Sequence, residues 1–217
     1  MDQRRDLSAI ARMVRSKTHS QGIPNSESAS ENLAASDLPR AALQPGQSIT
    51  DFELPDVTGR MVNTVDLRAN GPVLMVFYCG FACPFCRLML KRLEARYADF
   101  QDRGVTLVAI SAEVSPPTAD RSLRTQKESS LKFPVLSDSG NRVARQFGIV
   151  FILNEAFEKG DEEFGIYPPV YLEDNSFLLP GPSTFLIGTD GTILSSFMEV
   201  DDYLARLAQG TAFPKFD

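Results

Sequence analysis

The stretch Val73-Leu74-Met75-Val76-Phe77-Tyr78-Cys79-Gly80-Phe81-Ala82-Cys83-Pro84-Phe85-Cys86 sets the fold of this chain and holds all 3 of its cysteines. Its first five residues are apolar without alternation, the pattern of a strand buried on both faces. A strongly helical segment follows, so Cys83 and Cys86 fall on the first turn of a helix at the carboxyl end of a strand. Unpaired amides and the positive end of the helix dipole at such a place favour a thiolate over a thiol. A cysteine there can titrate anywhere from about 3.5 to 7.5 instead of about 8.5. The motif points to redox chemistry.

Working outward, the helix is expected to run to about Phe100, with Met89 or Leu90, Leu93, Tyr97 and Phe100 on its core face. Gly104 turns the chain into a second apolar strand, residues 105–110. Strand, helix and strand of this kind form a right-handed parallel crossover within a sheet covered on both faces. Ahead of it, Phe52, Leu54 and Val57 alternate, Thr58-Gly59-Arg60 turns, and residues 61–65 return as the second arm of a small hairpin. Behind it, 118–131 reads as a helix capped by Thr118, 133–136 as a short strand, and 141–147 as a helix closed by Gly148. Residues 151–179 are irregular, acidic (Glu155, Glu158, Asp161, Glu162, Glu163) and aromatic, and read as an insertion, its acidic run a solvated face. Residues 184–187 and 193–197 make an antiparallel pair around Gly188-Thr189-Asp190-Gly191. A last helix is expected over 201–208.

The 217 residues suit one domain with extensions. Residues 1–44 read as an N-terminal extension, a short amphipathic helix over 6–17 followed by a linker rich in Ser, Asn, Ala and Pro. The folded domain is expected over 45–217. A net charge of −6 offers no attraction to nucleic acid or to an anionic membrane surface. No apolar run approaches the roughly 20 residues of a membrane helix. Residues 1–20 carry Arg4, Arg5, Arg12, Arg15 and Lys17 but lack the apolar centre of a secretory signal. Clustered cysteines in a chain of this length fit a reactive site in a reducing compartment, and the cytoplasm is the expected location.

Three readings of the cysteines compete. Cys83-Pro84-Phe85-Cys86 places two sulfurs within one helical turn, close enough for a disulfide, and a proline suits that first turn. Cys79, Cys83 and Cys86 also have the Cx3Cx2C spacing that could bind three irons of a four-iron cluster. Against this stand the single strand–helix–strand unit and the lack of a glycine–glycine–acidic segment for such an enzyme's cofactor. A structural or zinc-binding cluster is the third reading; the only histidine, His19, lies in the N-terminal extension. The dithiol is placed ahead of the other two. Cys79 by itself reads either as a half-buried inert thiol or as a third sulfur that resolves or reshuffles the pair. Tyr78 reads as packing.

The cysteine motif and its flanks resemble the peroxiredoxin-like branch of the alkyl hydroperoxide reductase and thiol-specific antioxidant family. The matching pieces run in order: Leu43-Gln44-Pro45-Gly46, Asp51-Phe52-Glu53-Leu54-Pro55-Asp56, Gly71-Pro72-Val73-Leu74, Val108-Ala109-Ile110-Ser111, Phe133-Pro134-Val135-Leu136-Ser137-Asp138 and Pro182-Ser183-Thr184-Phe185-Leu186-Ile187. The resemblance implies an α/β thioredoxin-like fold, a central mixed sheet flanked by helices. It implies a thiol peroxidase that reduces hydrogen peroxide or organic hydroperoxides through a sulfenic acid and a Cys83–Cys86 disulfide, recycled by a thioredoxin-like reductant. Such a cycle uses neither metal nor organic cofactor, and a homodimer is compatible with it.

Cys86 stands at the family's nucleophile position and Cys83 where peroxiredoxins carry Thr or Ser. Thioredoxins attack instead with the first cysteine of the pair, so Cys86 is expected to meet peroxide and Cys83 protein disulfides. The chain departs from the family at Cys79, where peroxiredoxins have proline and this branch often arginine, and at Ala82, often tryptophan there. It departs again at Pro182, where peroxiredoxins have an arginine. A proline there is the thioredoxin pattern and would lay the backbone of Ser183 beside the dithiol to dock substrate. Phe81 and Phe85 could rim the site, and Arg87 could support the thiolate in place of the missing arginine. A thioredoxin-like thiol–disulfide oxidoreductase is the alternative activity, and a non-catalytic or biosynthetic descendant of the fold a third.

Overall fold

The computed structural model describes residues 41–80, 84–113, 131–152 and 178–197, with only the backbone described for Pro84, Phe85, Leu88 and Ile152. The expected helices over 6–17, 118–131 and 201–208, and most of the acidic insertion, lie outside the described residues. Five strands form the central sheet: β3 (Val73–Phe77), β4 (Thr106–Ser111), β5 (Val135–Ser137), β8 (Ser183–Ile187) and β9 (Ile193–Phe197), in the order β5-β4-β3-β8-β9. β3 is the middle strand and all five of its residues are buried. It pairs in parallel with β4 and antiparallel with β8. β4 pairs in parallel with β5, and β8 antiparallel with β9. The sheet is therefore mixed, as expected.

Each face of the sheet carries its own core. Leu74, Val76, Leu107, Ala109 and Val135 pack with Met89, Leu90 and Leu93 of α2 (Pro84–Ala95) and with Phe100 of α3 (Tyr97–Asp102). Val73, Met75, Phe77, Val108, Ile110 and Phe185 pack with Val143 and Ala144 of α4 (Arg142–Gln146), with Phe147, and with Phe52 and Leu54. Phe147 stacks edge-on against Phe185 at 4.9 Å between ring centroids, so the second core is knit by aromatic contacts as well as by burial.

Several expectations change in detail. The helix expected to reach Phe100 unbroken is two helices, divided at Arg96, whose φ and ψ are −110° and 8°. The Arg96 amide bonds the Leu93 carbonyl at 3.1 Å, a tightened last turn that ends α2 with neither proline nor glycine to mark it. The hairpin is β1 (Glu53–Pro55) against β2 (Met61–Asn63), but its return arm stops short of Val65. Asn63 caps α1 (Thr64–Arg68) by accepting from the Val65 amide at 2.8 Å, and an asparagine so placed competes with the strand for the next amides. The ends of the insertion are not irregular: β6 (Val150–Ile152) pairs antiparallel with β7 (Leu178–Pro180). The packed chain also begins before residue 45, since Ala42 is buried and the Leu43 amide bonds the Phe147 carbonyl at 3.0 Å. A side chain on Gly148, at φ +69°, would run into the Ala41 carbonyl, so this glycine both ends the turn after α4 and admits residues 41–43.

Two buried polar groups fix the ends of elements around the sheet. Asp138, after β5, accepts from the amides of Val143 (2.9 Å) and Ala144 (2.8 Å) and so anchors α4. Asp56 closes the hairpin loop by accepting from the Thr58 amide (2.8 Å), the Thr58 hydroxyl (2.6 Å) and the Arg60 amide (3.1 Å), with the Arg60 guanidinium at 3.2 Å. An isolated bridge from Asp56 to Leu136 joins this loop to the edge of the sheet. Burial opposes ionisation of Asp56, but the four donors outweigh it and hold its carboxyl below the ordinary value of 3.8.

A depressed acid stabilises the fold above its unfolded pKa and loses that contribution as pH falls through its folded one. Asp56→Asn is expected to cost about 1 kcal/mol at neutral pH, and the gap between variant and wild type should narrow as pH drops below 3.8. Urea unfolding across that acid range measures it; a gap constant with pH would refute the assignment. Thr184 is 2% exposed and its hydroxyl finds no hydrogen-bond partner among the described residues. Thr184→Val keeps the branched strand side chain and removes a buried orphan, so stability is expected to rise by about 1 kcal/mol in the same assay.

Candidate functional site

β3 carries the chain to the carboxyl end of the sheet and delivers Tyr78, Cys79 and Gly80 there. Gly80 sits at φ +146°, a backbone conformation that favours a residue without a β-carbon, and the Glu113 side chain lies against it. α2 then opens with Pro84, whose missing amide hydrogen suits a first helical position. Cys86, two residues on, shares a helical stripe with Met89, Leu90 and Leu93 and is 3% exposed. Cys79 is half-buried and packs against the same core. The two sulfurs stand 3.2 Å apart, a thiol–thiol contact well outside the ~2.05 Å of a disulfide bond.

Polar groups from the neighbouring strand ends gather around Tyr78 and Gly80, the residues on either side of Cys79. The Tyr78 amide bonds the Ile110 carbonyl at 3.0 Å, continuing the β3–β4 ladder, and the Tyr78 and Ser111 side chains are hydrogen-bonded. Ser111 Oγ lies 3.4 Å from Glu113 Oε2 and at the same distance from the Glu113 amide, while the Ser137 hydroxyl donates to the Glu113 carbonyl. Burial first, and then the Glu113 carboxylate, push the Tyr78 phenol well above its ordinary value of 10.0; negative charge on Cys86 and Cys79 adds to this, and Ser111 opposes it. The phenol therefore stays protonated at neutral pH and serves as a hydrogen-bond donor rather than a base.

On the other side of β3, Ser183 pairs in register with Phe77, so Pro182 falls at the level of Tyr78 at the same end of the sheet. Pro182 is half-buried. Ser183 is buried and donates its hydroxyl to the Gly181 carbonyl at 3.0 Å. Arg87 is exposed on α2. Phe81, Cys83 and the side chain of Phe85 lie outside the described residues, and with them the Cys83–Cys86 pairing. Of the expected site residues, then, the structure brings Cys79, Cys86, Pro182 and Ser183 to one end of the sheet. Sequence reading missed Ser111 and Glu113 as neighbours of Tyr78 and Gly80. Their signal was position: both follow β4, and the carboxyl ends of adjacent parallel strands are where α/β sheets gather their chemistry.

Comparison with known proteins agrees with this layout. The AhpC/TSA family pattern matches residues 45–196. The thiol-disulfide oxidoreductase ResA of Halalkalibacterium halodurans is 27% identical over 110 residues, 51% of this chain and 60% of that protein. Peroxiredoxin Bcp of Escherichia coli is 29% identical over 107 residues, 49% of this chain and 65% of that one. The chain thus spans less than two thirds of the length of these two relatives. The crystal structure of peroxidoxin BcpB from Mycobacterium tuberculosis superposes with a TM-score of 0.59 at 25% identity, covering 78% of this chain and 96% of that one. A bacterioferritin comigratory protein of Xanthomonas campestris gives 0.57 at 16% identity, over 79% and 92%, a likeness of fold. With its mixed sheet, its thiol pair at the strand–helix junction and a family match over most of its length, this chain is a member of the AhpC/TSA family with a thioredoxin-type fold.

Proposed function

We propose that the chain is a thiol peroxidase acting on small hydroperoxides through Cys86. The observation that carries this reading is Cys86 itself, at the start of a 12-residue helix, at the family's nucleophile position and 3% exposed. The helix amides stabilise negative charge on a sulfur there. A sulfur so enclosed suits a slender oxidant better than a bulky protein disulfide. The thiolate attacks one peroxide oxygen and breaks the O–O bond; sulfur is oxidised to a sulfenic acid and the other oxygen leaves, with a proton, as water or an alcohol. Cys83, one helical turn away in sequence, condenses with the sulfenic acid to a disulfide and releases water. A thioredoxin-like dithiol in a reducing compartment such as the cytoplasm then restores both thiols.

Thiol–disulfide exchange is the second reading, favoured by the match to ResA and by Pro182 ahead of β8. In it Cys83 attacks, and the backbone around Ser183 docks an extended substrate.

Peroxide-dependent oxidation of thioredoxin or dithiothreitol is expected to fall to the uncatalysed background in Cys86→Ser. Wild-type turnover in a Cys83, Cys86 double variant would reject the peroxidase. Insulin reduction without any peroxide turnover would select the exchange reading instead.

A further inference from the structure

We infer that Cys79 and Cys86 form a second redox pair, in which Cys79 closes a disulfide with oxidised Cys86 independently of Cys83. The oxidation step rests on the peroxidase reading above; the pairing itself rests on geometry. Cys79 comes from the end of a strand and Cys86 from the buried stripe of a helix, yet their sulfurs meet at 3.2 Å in one apolar corner. Closing to a bond requires little more than an ångström of approach. Cys79 is followed by Gly80, whose backbone stands at φ +146° without a β-carbon to restrict it, and that is where the small adjustment is absorbed.

Position also decides which group reaches the oxidised sulfur first. A sulfenic acid on Cys86 stays in a corner that is 3% exposed, where a thiol from solution has poor access. The Cys79 thiol is already in contact, and a partner held in place reacts as though present at very high concentration. In the condensation the Cys79 sulfur attacks the Cys86 sulfur. The S–O bond breaks, and the hydroxyl leaves with the Cys79 proton as water. One S–S bond forms with no further oxidant. The loop from 79 to 86 is short, so the bond constrains the unfolded chain less than a long-loop disulfide would. Cys79 is the more exposed of the two cysteines, which gives an incoming dithiol its point of attack.

The test uses the full chain carrying Cys83→Ser, treated with one equivalent of hydrogen peroxide, alkylated, and cut by chymotrypsin, which cleaves after Phe81 and so separates Cys79 from Cys86. Mass spectrometry is expected to find the two peptides joined and neither cysteine alkylated. Capture of Cys86 as a sulfenic acid by dimedone, with Cys79 alkylated, would overturn the pairing and leave the peroxidase standing. If peroxide left Cys86 unreacted, the peroxidase reading would fall, and diamide, which couples neighbouring thiols without a sulfenic acid, would decide the pairing alone. Joined peptides after diamide support it; separately alkylated ones sink it. Should Cys83→Ser not fold, the same map of the wild-type chain decides: a Cys79–Cys86 link supports the inference, and exclusive Cys83–Cys86 linkage overturns it.

Discussion

The register of β3 within the sheet is the constraint on which the site depends. Five consecutive buried residues are bonded on one edge to β4 and on the other to β8, with Val76 facing Ala109 and Thr184 across the two ladders. A slip of one residue would exchange Leu74 and Val76 for Val73, Met75 and Phe77, whose surroundings differ in shape. It would also turn Tyr78 away from Ser111. The close-packed cores on both faces thus fix where the strand ends and which way Tyr78 and Cys79 leave it.

From that end the chain must rejoin the core through α2, and the stripe of α2 that faces the sheet begins at Cys86. Burial of Met89, Leu90 and Leu93 therefore fixes the helix rotation that turns the Cys86 sulfur inward. The contact between two thiols follows from hydrophobic packing of the elements that carry them. Packing without an ordered polar environment would leave two inert apolar sulfurs. Here the helix start, a neutral phenol and a carboxylate all stand close by.

Much of this was legible in the chain. Val73–Phe77 announced a doubly covered strand, the order of strands and helices implied a mixed sheet, and Cys86 with Pro84 marked the start of a helix. The break at Arg96 was not legible, because it is made by a tightened turn with ordinary helix formers on either side. α1 was hidden for a related reason: Val65 looks like a strand residue until Asn63 is seen to cap the turn beneath it. The thiol contact was half visible. Extending the stripe of Leu93 and Met89 back one turn reaches Cys86, but periodicity along a helix says nothing of what stands opposite. Only the rejoining of strand end and helix across seven residues brings in Cys79, and Glu113 arrives from a different strand altogether.

The charge balance of the corner bears on how its chemistry can run. The arginine that peroxiredoxins place ahead of β8 is replaced by Pro182, and Arg87 stands exposed on α2. The Glu113 carboxylate and negative charge on either sulfur push the Tyr78 phenol in the same direction, above its ordinary value, so phenol, carboxylate and thiols share one field. Two thiols in contact disfavour simultaneous ionisation, because like charges at that distance repel. The proposed pairing meets that constraint by acting in sequence, since Cys86 alone is charged when it meets peroxide and Cys79 keeps its proton until that proton leaves with the hydroxyl of oxidised Cys86.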